Sequence, residues 1–342
     1  MASAYNPHDW RVRDPPGGLS GRPGDVNQAI HMDIVTHGVT GVLVSRAVPS
    51  GYKTSVMAAG FIGALAPDLD LIARLWDPMA AVAIHRTATH SFLGGAVIAL
   101  LVAGLVWGIR RDSFFHLFGS AYLGLLSHIG SDLLTSFGTA IFWPITDRRF
   151  ALSQHYIIDP IFTTLALGFL VASFRLNHRR ISLATTGLLA IGLYVLITAA
   201  VQRTAFVRWQ ESMQLQGILP TRSTVVPLFP GPFRWLGVSE TEKGYYQQSF
   251  ALYGSNTDAS HFFSKSNADL RELERLREVQ VFLSFARFPW NQELYDRGRR
   301  VIEYRDLAFA DHPLGILGGP LSLRIWMDEV GSVREMKFGH RF

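Results

Sequence analysis

Long apolar runs without charged residues dominate the N-terminal part of the chain. Residues 92–109 are uncharged over eighteen positions, and residues 181–201 over twenty-one. A helix rises about 1.5 Å per residue, so each run can cross about 30 Å of hydrocarbon. Residues 157–174 carry a single charged group, and residues 113–127 are apolar apart from one histidine. Because all four runs are apolar on every face, they predict transmembrane helices rather than helices of a soluble core.

Two shorter apolar segments precede these runs. Residues 34–48 and 55–67 are rich in small side chains, which suits tilted spans, half-helices or a re-entrant pair packed inside protein. Gly60 and Ala64 have the four-residue spacing of small residues that favours close helix contact. The pattern therefore predicts a membrane-embedded α-helical bundle of about four to six spans, with six favoured.

The two ends of the chain have a different character. Residues 1–31 are polar and rich in proline and glycine, which predicts a disordered tail, with Met32 as a candidate start. Residues 32–201 form the predicted membrane domain. Residues 202–342 lose the apolar runs, which predicts a small soluble α+β domain, largely antiparallel.

Alternation and turn residues predict the elements of this last domain. An amphipathic helix is expected at residues 204–216, continuing from the last span, and a second helix at 267–279 with Asn267 as its cap. Residues 225–235 are expected to be broken by proline and then extended. The predicted strands are 244–252, 301–309, 321–327 and 332–338, with a turn at 328–331 between the last two.

Charge and composition exclude several classes of function. The net charge of +5 is spread along 342 residues, and no basic stripe alternates with aromatic residues, so nucleic-acid binding gains no support. The chain has no cysteine, which excludes disulfides and thiolate metal ligands. The oligomeric state stays open.

Basic residues indicate how the bundle is oriented. With six spans, the connections after the first, third and fifth helices share a side, and short loops rich in Lys and Arg favour the cytoplasm. These connections contain Arg46, Lys53, Arg110, Arg111, Arg175, Arg179 and Arg180. We therefore expect a multi-pass protein of the inner (cell) membrane whose C-terminal domain lies on the non-cytoplasmic side.

Histidines and aspartates collect at the ends of the apolar segments on the side away from the basic loops. Placing such groups at membrane depth costs free energy, so they normally occur there only where they bind or react. The group comprises His37, Asp68, Asp70, His85, His90, His128, Asp132 and Asp159. Because independent residues fall at one depth, they predict a single metal site at one rim of the bundle.

Local spacing supports this interpretation. His128 and Asp132 are four residues apart, so on a helix they share a face, with Cβ atoms about 5–6 Å apart. Pro67 disfavours helical backbone before it, so Asp68 and Asp70 are expected in an exposed turn. For any one of these residues, a packing histidine or a turn aspartate remains an alternative.

The ligand chemistry narrows the choice of metal and reaction. Imidazole and carboxylate without sulfur suit Zn²⁺, Mn²⁺ or Fe²⁺. The set is large enough for one or two ions, and paired ions can clamp the oxygens of a phosphoester during displacement. Arg86, beside the candidate ligands, could hold phosphate bidentately.

Four motifs, in this order and spacing, resemble the YdjM family of bacterial and archaeal inner-membrane proteins, described as membrane-bound metal-dependent hydrolases. The motifs are Thr36-His37-Gly38, Pro67-Asp68-Leu69-Asp70, His85-Arg86-Thr87-Ala88-Thr89-His90-Ser91 and Ser127-His128-Ile129-Gly130-Ser131-Asp132, followed by Thr135 and Gly138. Thr87 departs from the family, which often has glycine there. The resemblance implies as metal ligands His37, Asp68, His85, His90, His128 and Asp132, with Asp70 as a further candidate.

These observations lead to one expected function and two alternatives. We expect a metal-dependent hydrolase of a lipid-linked or membrane-near phosphoester, with Asp70 or Asp132 as general base and Arg86 on the phosphate. Zn²⁺ is the first choice of metal, with Mn²⁺ or Fe²⁺ next, and the bilayer is the expected partner. The alternatives are a metal-ion carrier or channel and a non-catalytic membrane scaffold with a structural metal.

Overall fold

A computed structural model describes residues 33–253, 261–264, 270–309, 322–328 and 331–338. The predicted tail at residues 1–31 lies outside this part of the chain. The helices are α1 (Ile34–Arg46), α2 (Thr54–Leu65), α3 (Pro78–Ile84), α4 (Phe92–Arg110), α5 (Phe114–Leu134), α6 (Pro160–Arg175), α7 (Arg180–Leu215) and α8 (Arg277–Phe285). The strands are β1 (Arg222–Leu228), β2 (Arg234–Glu240), β3 (Gly244–Ala251), β4 (His261–Ser264), β5 (Pro289–Asp296), β6 (Arg299–Asp306), β7 (Ser322–Met327) and β8 (Val333–Phe338).

Three helical segments of the described chain are long and apolar enough to cross a membrane. They are Thr54–Ala73, which joins α2 to a 3₁₀ segment, Phe92–Arg110, and Asn177–Leu215. The prediction of four to six spans was therefore too high. Helix α6 is apolar but has only 16 residues, and α1 has 13. Helix α5 has 21 residues, but its histidines and aspartate lower its mean hydropathy.

Glycines let α1, α2 and α5 approach closely. A Cβ on Gly60 would lie 1.9 Å from the Ser45 hydroxyl oxygen, and one on Gly124 would lie 2.1 Å from the Gly60 carbonyl oxygen. Both distances are far below van der Waals contact, so only glycine permits this approach. As a result, the Ala64 carbonyl of α2 reaches the ring of His128 on α5, at 2.7 Å.

The C-terminal region contains two four-stranded antiparallel sheets among the described residues, with orders β1-β2-β3-β4 and β5-β6-β7-β8. Helix α7 continues past the apolar run and packs against the first sheet. Its Trp209 is buried, and the indole N–H donates to the Ser239 hydroxyl at 2.8 Å. The predicted helix at 204–216 is therefore confirmed as the end of α7.

Most strand predictions are confirmed, and one helix prediction is wrong. Strands β3, β6, β7 and β8 coincide with the four predicted strands to within about three residues at their ends. The helix expected at 267–279 instead begins at Arg277, because Leu276 before it has extended backbone with ψ of 137°. Its proposed cap, Asn267, lies outside the described residues.

Asp306 organises the junction between the second sheet and the helical region. Its buried carboxylate accepts backbone N–H bonds from Arg287 at 2.8 Å and from Phe288 and Ala308 at 2.9 Å. Burial raises the pKa of Asp306, while these donors and the Arg287 guanidinium act in the opposite direction. Burial in turn lowers the pKa of Arg287, and Asp306 opposes that shift.

We expect Asp306→Ala to lower the free energy of unfolding by about 3 kcal/mol or more, because three buried N–H groups lose their acceptor and each costs about 1–3 kcal/mol. The measurement is the unfolding midpoint of detergent-purified protein, followed by tryptophan fluorescence. Glu242→Ala, at an exposed position between β2 and β3, is the control. Equal midpoints for the two variants would contradict the expectation.

Candidate metal centre

Two carboxylates enter the site from the 3₁₀ segment Ala66–Leu75, which follows α2 directly. Pro67 stands at its start, but Ala66 before it keeps helical backbone, with φ of −62° and ψ of −34°, so the expectation of a non-helical residue there was wrong. The side chains of Asp68 and Asp70 are only 8% and 5% exposed, whereas Leu69 between them is 61% exposed. The expectation of an exposed turn was therefore wrong for these two side chains, because both carboxylates point inward.

Two histidines come from the connection between α3 and α4. His85 ends α3 with extended backbone, and Arg86 then adopts a left-handed conformation with φ of 60°. His90 closes the short 3₁₀ turn Ala88–His90 before α4. The reversal at Arg86 brings the two imidazoles together, with ring centroids 5.1 Å apart. The two histidines thus converge from a loop and a short turn rather than from one helix face.

Four ligand atoms converge at the centre of the site. His90 Nε2 lies 3.3 Å from Asp68 Oδ1 and 3.5 Å from Asp132 Oδ2. His128 Nε2 lies 3.6 Å from Asp68 Oδ1 and 3.5 Å from Asp132 Oδ2. Ligands bound to Zn²⁺ at about 2.0–2.1 Å in a tetrahedron are about 3.4 Å from each other. Each of these four distances, 3.3–3.6 Å, is therefore close to the spacing of two ligands on one ion.

Buried atoms without a hydrogen-bond partner support the same conclusion. Among the described residues, His37 Nδ1, His128 Nε2 and Asp132 Oδ2 are buried and unpartnered. Buried polar atoms are normally paired, since an unpaired one costs about 1–3 kcal/mol. A bound cation would satisfy the nitrogen lone pairs and the carboxylate oxygen together, so the donor set fits a divalent metal.

The other ring nitrogens are held by partners that aim the imidazoles. His128 Nδ1 donates to the Ala64 carbonyl at 2.7 Å, and His85 Nδ1 donates to Asp70 Oδ1 at 2.9 Å. Thr89 also donates to Asp70, at 2.6 Å. Such partners fix the ring orientation of metal-binding histidines. Asp70 thus orients a candidate ligand.

The six residues implied as ligands form three overlapping groups. In each group, one potential ligand atom per residue lies within 4.8 Å of the others. The groups are His37 with Asp68 and His128, Asp68 with His85 and His90, and His90 with His128 and Asp132. Since the groups share Asp68, His90 and His128, the site has ligands for one or two ions. These groups do not identify the metal.

Arg86 lies at the edge of the cluster. Its two terminal nitrogens donate to Asp132 Oδ1 and to the Thr135 hydroxyl, both at 2.8 Å. Among the described residues, its Nε is buried without a hydrogen-bond partner. The guanidinium has five N–H groups, so Arg86 can contact a phosphate, through Nε among others, while it keeps its bonds to Asp132 and Thr135.

The cluster opens into a pocket whose lining includes His155, a residue that sequence reasoning left without a role. The lining comprises His37, Asp68, His85, Arg86 and Asp132 of the cluster region together with His155, Asp159 and Phe162. His155 Nδ1 lies 3.4 Å from Asp159 Oδ2, which also accepts a hydrogen bond from Tyr194 at 2.9 Å. The four-residue spacing of His155 and Asp159 repeats that of His128 and Asp132. That repetition is a sequence signal from which His155 could have been identified.

A helical membrane protein with a buried His and Asp cluster at one end of its helices is the class that this fold and site define. The chain belongs to the YdjM inner membrane protein family, whose profile matches residues 32–205. The match covers α1 to α6 and most of α7, and with them every residue of the cluster. The resemblance seen in the motifs is thus confirmed.

Comparisons with individual proteins add less. The uncharacterized protein YfhP of Bacillus subtilis (strain 168) is 24% identical over 138 residues. The alignment covers 38% of this chain and 42% of that protein, so the chain spans less than half the length of this relative. No solved structure matches the chain. The catalytic assignments of Asp70, Arg86 and Asp132 stay predictions.

We expect purified protein to retain a divalent metal, and His128→Ala and His90→Ala to lose it, because each variant removes one of the four convergent atoms. Elemental analysis of detergent-purified protein measures this. The matched control is His116→Ala, which removes an exposed histidine from the first turn of the same helix, α5. Equal metal content in all four proteins would contradict a metal centre at this cluster.

Asp70→Asn should weaken metal binding by about 10–100-fold without abolishing it, because the substitution removes a partner of the ligand rather than a ligand. Competition with a chromophoric chelator gives the affinity. Asp147→Asn changes an exposed carboxylate in the loop after α5 and should leave the affinity unchanged. Complete loss of metal in Asp70→Asn would instead make Asp70 a ligand.

Proposed function

We propose that this protein is a metal-dependent hydrolase of a lipid-linked or membrane-near phosphoester. The observation that carries the proposal is the pocket, in which the His and Asp cluster and Arg86 lie side by side. Ligands for a cation and a buried N–H donor for an oxyanion therefore face the same space. Hydrolysis of a phosphoester by a metal-activated water uses both.

A bound divalent ion would supply Lewis acidity, which polarises a phosphoryl oxygen and lowers the pKa of an attacking water. Arg86 Nε has a free N–H for a phosphoryl oxygen. Asp70 accepts hydrogen bonds on both oxygens, so we assign it to holding His85. Asp132 Oδ2 has no donor and remains the candidate to bind the ion or to accept a proton from water.

His155 and Asp159, in the lining of the pocket, could protonate the leaving group. His155 and Asp159 form a pair at 3.4 Å, and the His155 Nε2 atom lies 2.9 Å from the Thr198 hydroxyl. A histidine held by a carboxylate can keep a proton and deliver it to a departing oxygen. We therefore propose His155 as the general acid, with Asp159 as its positioning residue.

A non-catalytic scaffold is the second candidate, and one observation favours it. The four convergent atoms of Asp68, His90, His128 and Asp132 could saturate a single tetrahedral ion, and saturation by protein ligands is typical of structural sites. His37 and His85 then need another explanation. Their presence in the same pocket favours a second ion or an open coordination position, and thus the hydrolase.

We further propose the location and division of the molecule. The family is one of inner membrane proteins, and three segments can span. The basic loops favour the cytoplasm, so the metal centre and residues 202–342 are proposed to lie on the other side, with residues 32–201 as the membrane domain. Zn²⁺ is the proposed metal, with Mn²⁺ or Fe²⁺ next, and the bilayer is the proposed partner.

The function is tested on protein reconstituted in nanodiscs and loaded with Zn²⁺, Mn²⁺ or Fe²⁺ in turn. We expect hydrolysis of bis(p-nitrophenyl) phosphate or release of headgroup phosphate from nanodisc phospholipids, abolished by chelation and restored by metal. Arg86→Gln should lower kcat/KM by about 100-fold or more, since a donor to the transition state is lost.

His116→Ala is again the control and should keep full turnover. Hydrolysis that persists in chelated protein and in His128→Ala would contradict the proposal. The proposal would also be contradicted if metal-loaded protein hydrolysed neither bis(p-nitrophenyl) phosphate nor the nanodisc phospholipids. Metal flux into proteoliposomes by such protein would favour the carrier, and its absence would favour the scaffold.

A further inference from the structure

The 3₁₀ segment Ala66–Leu75 and the following Trp76 have an inverted distribution of polarity. Asp68 and Asp70 point inward to the metal centre, while four large apolar side chains point outward and Leu71 is buried. The exposed fractions are 61% for Leu69, 49% for Ile72, 80% for Leu75 and 78% for Trp76. A water-facing segment would place its carboxylates outside and its leucines inside. The outer face of this segment, hereafter the 69–76 face, is therefore built for an apolar surrounding.

The 69–76 face continues a candidate membrane span. Helix α2 and the 3₁₀ segment together form the apolar stretch Thr54–Ala73, so the outward leucines extend a lipid-facing surface. The apolar face ends abruptly. Asp77, the next residue, pairs with Arg277 of the sheet region at 2.8 Å, with both side chains partly exposed. The change from Trp76 to an ion pair is typical of the membrane–water boundary, where aromatic residues are enriched.

A second apolar surface lies at the same end of the helices. The loop after α5 exposes Phe142 by 43%, Trp143 by 39% and Ile145 by 87%. This loop is fixed to the start of α4, because the Phe92 N–H donates to the Ile141 carbonyl at 3.0 Å. Since His90 precedes Phe92 by two residues, the metal centre lies beside this loop as well as beside the 69–76 face.

We infer that the 69–76 face and the loop at 142–145 are immersed in the headgroup–acyl boundary of a phospholipid bilayer. Immersion sets the depth of the metal centre, because Asp68 and Asp70 lie on the inner side of the same short segment. The centre is then level with lipid phosphates. The substrate class that follows, the phosphate of a membrane lipid rather than a soluble phosphoester, rests on the proposed function, whereas the depth does not.

The lining of the pocket agrees with an amphiphilic ligand. Arg86 and the His and Asp cluster contribute polar groups to the lining, and Ile157 and Phe162 contribute apolar side chains. A phosphate headgroup fits the first surface, and the adjoining carbon chain fits the second.

The chain has no native cysteine, so single cysteines can be placed and labelled without background. Leu75→Cys and Ile145→Cys are labelled with bimane in nanodiscs whose acyl chains carry bromine either near the headgroup or near the bilayer centre. Leu101→Cys, which is 70% exposed in the middle of α4, and Tyr295→Cys, which is 71% exposed on β5, are the matched controls.

We expect headgroup-proximal bromine to quench the probes at 75 and 145 at least about twofold more than central bromine, because collisional quenching requires contact and the boundary lies roughly 15 Å from the centre. The probe at 101 should show the reverse preference, and that at 295 no quenching. Quenching at 75 no greater than at 295, in protein that retains metal, would overturn the inference. Ile72→Cys repeats the measurement if Leu75→Cys does not fold.

This readout needs neither substrate nor turnover. Quenched probes on a protein without hydrolase activity would place the centre at headgroup depth and refute only the hydrolase. Unquenched probes on an active enzyme would agree with the hydrolase proposal and would refute the inference that the 69–76 face is immersed.

Discussion

The rest of the structure depends on the burial of two carboxylates and two imidazoles in contact with each other. Such groups lose their hydration when buried, and the repulsion between like charges adds to that loss. Asp68, Asp132, His90 and His128 nevertheless lie with their carboxylate oxygens and ring nitrogens 3.3–3.6 Å apart. A cation bound between these atoms would offset the lost hydration. The surrounding fold keeps the four groups close together.

The surrounding packing is explained by that requirement. Helices α2 and α5 approach through glycine, which allows the Ala64 carbonyl to hold His128. The left-handed backbone at Arg86 turns His85 inward and directs the guanidinium to Asp132. The close helix contact and the turn at Arg86 each fix a side chain whose position burial would otherwise disfavour. The left-handed backbone at Arg86, rare for a residue other than glycine, thus lies next to the candidate ligands.

The grouping of the candidate ligands could be predicted from the sequence, but their surroundings could not. His128 and Asp132 have helical spacing, and the carboxylates after Pro67 stand at the end of an apolar run, so local rules suffice. The span count failed because α5 combines the length of a span with the polarity of a site, and hydropathy cannot separate the two. His155 precedes Asp159 by four residues, a local signal, but its second partner, Thr198, is set by a tertiary contact.

The contact between Arg287 and the helical region bears on which part of the chain folds as one unit. Its guanidinium donates to the Ser136 carbonyl at 3.3 Å and to the Ser153 hydroxyl at 2.7 Å, beside the Thr135 that binds Arg86. A chain cut at residue 205, where the family match ends, would lose this arginine and divide α7. The family segment therefore carries every ligand without carrying all the contacts that hold the loop beside Arg86 in place.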